Sequence, residues 1–153
     1  MIVFEIKDAA VKKMLKNTMS GLIDNTKFFK DLRSYQLGQI DEAFKVSGKN
    51  ITGTPWQSLK PATVKEKMRL GLATRILERT ARLRNSFKSI DLSKMLLKIT
   101  SVGVPYFAIH QTGGQNERGV NIPRRQILGH SRIMILKTMD LYTKFIHNKI
   151  KNG

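Results

Sequence analysis

The sequence predicts an α+β fold: a small antiparallel sheet packed with several helices, ending in a long C-terminal helix. Three observations predict it. Apolar residues recur at steps of three and four over residues 25–46, the period of a helix with one covered face. Apolar and polar residues alternate over residues 97–101, the period of a strand, and the links around them are too short for a crossover helix. A broad apolar stripe over residues 131–149 marks a second long helix. With 153 residues the chain can enclose one core of its own, and two independent domains would be cramped, so residues 1–153 read as a single domain.

The chain opens on a short β-like run, residues 2–6, followed by a basic helical stretch with Ala10 and Met14 on one side and a break at Ser20-Gly21. Residues 1–20 are a candidate flexible or assembly arm. In the first long helix, Phe29, Leu32, Gln36, Ile40 and Phe44 form the stripe, with Leu37 alongside. Asn25 or Thr26 can cap its start by accepting an orphan backbone N–H. Lys45 suits its C-terminal dipole, and Gly48 lies just beyond. Residues 47–60 read as a loop punctuated by Gly48, Gly53 and Pro55. Trp56, the only tryptophan, is expected to anchor that loop to the body through the area its ring buries. Base stacking on single-stranded nucleic acid is the alternative use of such a ring.

Pro61 starts the next helix from its first position, and Gly71 ends it. Thr80 is placed to cap a short basic helix over residues 81–87, in which Leu83 and Phe87 stand four apart. Residues 91–94 read as a turn before the strand at 97–101. Residues 106–111 read as a second strand, joined to the first through Val102-Gly103-Val104-Pro105 in a meander. On it, Tyr106, Ala108 and His110 would share one face, and Phe107, Ile109 and Gln111 the other. Residues 111–130 form a long glycine-rich, basic loop, a type usually functional or mobile. The final helix carries Ile135, Met139, Tyr142, Ile146 and Ile150 as its stripe, broadened by Leu141 and Phe145. That width calls for burial against the sheet and against something else, such as another subunit.

Charge is the outlier in the composition. Lys and Arg number 28 and Asp and Glu 11, a formal charge of +17. Such a surface repels copies of itself at low salt and attracts polyanions: nucleic acid, an acidic protein surface or an anionic membrane. The basic residues run from Lys7 to Lys151 through periodic segments, which fits a folded basic domain and not a disordered tail. The absence of cysteine excludes disulfides, thiolate metal sites and cysteine nucleophiles. No apolar run approaches the length of a membrane span, and Glu5 interrupts the apolar opening as no signal peptide would. A soluble chain made in a reducing cytoplasm, with no membrane contact, is the expectation.

No pattern carries enzymatic chemistry. The three histidines, His110, His130 and His147, lie far apart, and the carboxylates are scattered over basic helix faces. Gly129-His130-Ser131 lacks the second glycine of a nucleophile elbow, and Gly113-Gly114 and Gly119 follow no phosphate-binding spacing. No catalytic, cofactor-binding or metal-binding residue is therefore assigned, and no cofactor is expected. Arg125-x4-His130 resembles the arginine/histidine pair of small helical ribonucleases of the HEPN type, although Pro123 and Gly129 bracket it. Arg79, Arg82, Arg84, Arg118, Arg124, Arg125 and Arg132 could bind phosphates in a salt-sensitive, sequence-independent way. No helix-turn-helix, zinc-finger or RNP pattern supports specific readout.

Five strings stand in an order that identifies a resemblance. They are Gly53-Thr54-Pro55-Trp56-Gln57-Ser58-Leu59-Lys60-Pro61-Ala62-Thr63 with Lys67; Ile76-Leu77-Glu78-Arg79-Thr80-Ala81-Arg82-Leu83-Arg84-Asn85-Ser86; Tyr106 to Gln111 with Gly113; Ile122-Pro123-Arg124-Arg125; and Leu128-Gly129. In order and spacing they resemble the phage virion morphogenesis family, which includes tail-completion proteins of Mu-like tailed phages. The chain departs from that family's usual glycine after the threonine, where Ala81 stands, and from its usual alanine after the tyrosine, where Phe107 stands.

The resemblance implies a non-enzymatic structural protein of the phage tail or neck with a tail-terminator-like or neck-protein-like α+β fold. It would be made in the host cytoplasm and incorporated in the virion. It implies a homo-oligomeric ring, six subunits being the expected number, at the head-proximal end of the tail. Its partners would be the tail tube and the head–tail connector, with non-specific contact to DNA in the channel. Arg79, Arg82, Arg118, Arg124 and Arg125 are the candidate contact residues, and Trp56, Tyr106 and His110 the structural anchors, His110 as a hydrogen-bonded core histidine. A basic nucleic-acid-binding module is the alternative.

Overall fold

The structure, a computed structural model, describes residues 24–151 together with Lys13, Lys16 and Met19. The expected strand at 2–6 and the Ser20-Gly21 break lie outside the described residues.

Helix α1 (Thr26–Lys45) is the backbone of the fold. Asn25 stands at the cap position, its carbonyl accepting the Phe29 N–H at 2.9 Å, but without a side-chain cap bond; the Asp24 carboxylate instead accepts the Thr26 N–H at 3.0 Å. A charged cap at a helix start is favoured by the dipole as well as by the hydrogen bond. Only part of the anticipated stripe reaches the core. Ile40 and Phe44 are buried with Ala43, whereas Phe29, Leu32 and Gln36 are half-buried along an apolar groove. At the other end of the helix, Ser47 and Gly48 both adopt left-handed backbone, which reverses the chain into a short helix α2 (Lys49–Thr52) inside what reads as loop. Gly48 is required there twice over. Its φ is 78°, and a Cβ would stand 2.0 Å from Trp56 Nε1.

Helix α3 (Pro61–Arg69) begins at its proline as the sequence implies. The expected helix at 81–87 does not form. Ala81 has φ 54°, a left-handed conformation that no helix accommodates, and only a single 3₁₀ turn at Arg84–Ser86 remains. Strand β1 (Phe87–Leu92) follows and pairs antiparallel with β2 (Leu97–Ser101), so Asp91 and Leu92 belong to the strand and the turn lies further on.

Residues 106–111 are not a strand. They form helix α4 (Phe107–Thr112), entered through a turn at Pro105 and Tyr106. The run is short, has one β-branched residue, and starts beside a proline that presets helical φ, so alternation and helical spacing competed closely. Because 107–112 is helical, no strand adds to the second edge of β2 and no meander forms. Nor is 111–130 an unstructured loop: β3 (Gly114–Gln115) and β4 (Asn121–Ile122) make a second small antiparallel hairpin, closed by the Asn116 side chain, which accepts the Arg118 and Val120 N–H groups at 3.0 and 2.9 Å.

Helix α5 (Arg132–Lys151) starts where Ser131 Oγ accepts the Met134 N–H at 3.3 Å. Its buried residues are Met134 and Phe145, not the anticipated stripe. Phe145 and Tyr142 pack around Phe28 of α1, with ring centroids 6.2 and 5.0 Å away. The stripe residues Ile135, Met139 and Ile150 are exposed, with Ile133 and Leu136 beside them. The core joins Ile40, Ala43 and Phe44 of α1 with Trp56, Leu83, Phe87, Val104, Ile127 and Met134.

Candidate functional site

Two side chains hold the chain segments that build the site. Trp56 lies 6 % exposed between Phe44 and the 124–128 segment. Its indole N–H donates to the Gln126 carbonyl at 2.9 Å, and its backbone N–H to the Ser47 carbonyl at 2.6 Å. Lys67, on the last turn of α3, is buried, and its ammonium donates to the carbonyls of Ala73, Arg75 and Glu78 at 3.0, 2.7 and 2.9 Å. Three donors meet three acceptors, so the loop after α3 is gathered around one cation. Burial pushes the Lys67 ammonium below the usual lysine value.

The same loop is tied to α1 by ion pairs. Arg84 bridges Asp41 at 2.6 Å and the buried carboxylate of Glu78 at 3.0 Å, and Arg75 holds the other oxygen of Glu78. The Arg84 hydrogen bond holds the Asp41 carboxyl below the usual carboxylate range. Arg84 is therefore committed to the fold and is not the free phosphate contact that its sequence neighbourhood invites. Glu78 is likewise no solvated surface carboxylate: it is 4 % exposed.

Between this loop and α4 lies a cavity of about 370 Å³. Arg79, Arg82, His110 and Arg125 line it, with Lys67 at its wall and Leu59, Leu77 and Leu83 as apolar surface. Each of these comes from one of the strings quoted above, so segments far apart in sequence converge on one pocket. Among the described residues no Asp or Glu lines it. Arg79 is exposed and 3.8 Å from Glu66, and Arg82 donates to the Gly103 carbonyl at 2.9 Å.

Arg125 is the unusual member. It is 8 % exposed, faces no carboxylate among the described residues, and makes one long side-chain hydrogen bond, 3.4 Å to the Gln57 carbonyl. Its buried Nε has no partner. Burial pushes the guanidinium below the usual arginine value. His110, whose carbonyl accepts the Arg125 backbone N–H at 2.7 Å, also has a buried, unpartnered ring nitrogen, Nδ1. Burial and the Arg125 charge together hold His110 below the usual histidine value. The expected hydrogen-bonded core histidine is thus incomplete on one side. Tyr106 is 41 % exposed at the cavity edge, its ring set edge-on to His110 with centroids 6.0 Å apart, and not a covered strand residue.

The other candidate contacts lie elsewhere. Arg124 is exposed and donates to the Gln126 side chain at 2.7 Å, beside a shallow polar depression near Thr52 and Gln57. Arg118 is exposed on the β3–β4 hairpin. Arg125 and His130 line different cavities, and residues 123–130 are not helical, so the helical arginine/histidine arrangement of the ribonuclease reading is not formed. Sequence reasoning missed Lys67 and Glu78 as organisers, since nothing in their spacing marks a cation that meets carbonyls or a carboxylate shared by two arginines.

Among the described residues no cluster of His, Asp and Glu is arranged to hold a metal ion, and no helix is long and apolar enough to cross a membrane. Residues 6–144 match the model of the Phage virion morphogenesis family. No curated protein and no solved structure matches the chain.

Proposed function

Because the chain belongs to the phage virion morphogenesis family, we propose that it is a structural tail-completion or neck protein, a building part and not a catalyst. In this reading it assembles as a homo-oligomeric ring at the head-proximal end of the tail and helps join the tail to the filled head. The family match carries the reading, and the surface supports it. Ile133, Ile135, Leu136 and Met139 stand 77, 49, 56 and 61 % exposed on one helix, an apolar face of the kind that proteins cover with a partner. A ring gives each subunit two different patches for its two neighbours, and closure covers both.

The test is a phage carrying Leu136→Lys and Met139→Lys together. Both side chains are exposed, so the purified variant should melt with the parent, within about 0.5 kcal/mol. The reading expects fewer joined particles by negative-stain microscopy and loss of the protein from virions by mass spectrometry. Normal joined particles, or a parent protein absent from particles and from their intermediates, overturns it. Removing residues 115–121 of the exposed hairpin should likewise spare the fold and reduce joining.

The alternative, a nucleic-acid-binding module, has the charge of +17 in its favour. It requires tight duplex binding with a steep salt dependence, lost on neutralising the exposed Arg118 and Arg124.

A further inference from the structure

We propose that the cavity between the 73–83 loop and α4 is a socket for one carboxylate side chain of a neighbouring protein subunit. The proposal rests on the assembly reading above for the identity of the neighbour, and on the cavity alone for the chemistry.

A guanidinium buried to this depth costs free energy unless a counter-charge or a full set of acceptors meets it. Arg125 has neither. Arg84 shows what this chain does with an arginine it intends to keep closed: two carboxylates flank it. The Arg125 cavity carries four further basic side chains, Lys67, Arg79, Arg82 and His110, and, among the described residues, no acid. Arg125 and His110 both line it, and each carries a buried guanidinium or ring nitrogen without a partner, Nε and Nδ1.

Depth and lining select the kind of anion. A duplex phosphate sits on a convex strand and is met by exposed Lys and Arg, which this surface offers in many places. Arg125 is 8 % exposed, whereas Arg79 and Arg82, which line the same cavity, are exposed. A carboxylate on an aliphatic stem suits that shape: the stem can lie on Leu59, Leu77 and Leu83 and the head can take a charge-assisted bond from the guanidinium. The chain itself holds a candidate source in Glu117, an exposed acid on the β3–β4 hairpin.

The full chain is titrated with N-acetylglutamate α-amide, a lone side-chain carboxylate, while the Arg125 Nε–H and His110 ring signals are followed by NMR. Saturable shifts with a dissociation constant of about 1–10 mM support the socket. Arg79→Ala with Arg82→Ala, both at exposed positions, should weaken that binding at least about fivefold while leaving the fold intact. Arg125→Lys, which keeps charge but not the fork, should abolish it if the variant folds. Absence of saturation by about 50 mM overturns the proposal. So does a larger response of the same signals to inorganic phosphate or to a short DNA duplex, which would assign the cavity to nucleic acid. Glu117→Gln separates the two protein sources. It removes self-association of the purified chain if a second copy supplies the carboxylate, and leaves it unchanged if a different virion protein does; both support the socket. Failure of the probe with normal virion incorporation removes the socket alone, and binding of the probe by a chain absent from particles removes the assembly reading alone.

Discussion

Lys67→Met isolates the cation that holds the wall of the pocket. Methionine keeps nearly the same stem volume, so packing changes little, but three hydrogen bonds to the carbonyls of Ala73, Arg75 and Glu78 are lost. At about 1 kcal/mol for each bond, the loss is about 3 kcal/mol. Removing a buried charge returns part of that, of order 1 kcal/mol, because its desolvation no longer has to be met. The net expectation is a destabilisation of about 2 kcal/mol, or about 4–8 °C in melting temperature for a chain of this size. Urea unfolding read through Trp56, the only tryptophan, measures it directly. The denaturant slope should be unchanged, and the amides of residues 73–80 should exchange faster well before global unfolding. Lys67→Arg should be nearly as damaging, since a planar fork cannot meet three convergent carbonyls as an ammonium does. A Lys67→Met protein as stable as the parent would refute the reasoning, and would mean that burying the charge costs as much as its three bonds return.

Gly48→Ala should destabilise by at least about 3 kcal/mol, from the left-handed backbone and the forced displacement of the Trp56 ring, measurable as a fall in the urea midpoint. Ala81→Gly should have the opposite sign: relief of a residue held at φ 54° outweighs the greater freedom of the unfolded chain, for a gain of about 0.5–1 kcal/mol by thermal melting. Asp41 gives a dependence on pH. Its folded-state value is depressed below 3.8 by Arg84 and Lys45, so its contribution is present above about pH 4 and is lost as pH falls through the lowered value. The side chain is 44 % exposed, so screening limits that contribution to about 1 kcal/mol or less. The stability gap between the parent and Asp41→Asn should therefore narrow from pH 5 to pH 2.

The parts of the fold that could be read from sequence are those in which a single physical signal had no competitor. The period of 25–46, the proline at the start of α3 and the glycine after α1 each specify local structure without reference to the rest of the chain. The failures occur where tertiary context arbitrates. Residues 106–111 satisfy both periods, and the turn at Pro105 and Tyr106 carries them into a helix although β2 has a second edge open. Ala81 would suit a helix by propensity, yet the loop gathered around Lys67 and Arg84 holds it left-handed. On α5 the apolar stripe was visible but its destination was not. A stripe records that a face needs covering, and only the packing of Phe28 against Tyr142 and Phe145 shows which side α1 has taken. At the candidate site the individual arginines stood out through charge, while their sorting into closed and open ones depends on distances that no spacing encodes.

That sorting connects the fold to its proposed role. With 28 basic and 11 acidic residues the chain cannot pair its own cations, so where it places its few carboxylates is informative. Asp41 and Glu78 go to Arg84, a residue that fixes the 75–84 segment against α1. Among the described residues none goes to Arg125, which is more deeply buried than Arg84. An acid placed near Arg125 would offset that buried charge with charge-assisted hydrogen bonds. A lining with no acid among the described residues suits the carboxylate socket proposed above. The free energy that the isolated subunit forgoes becomes available to the joint that forms there.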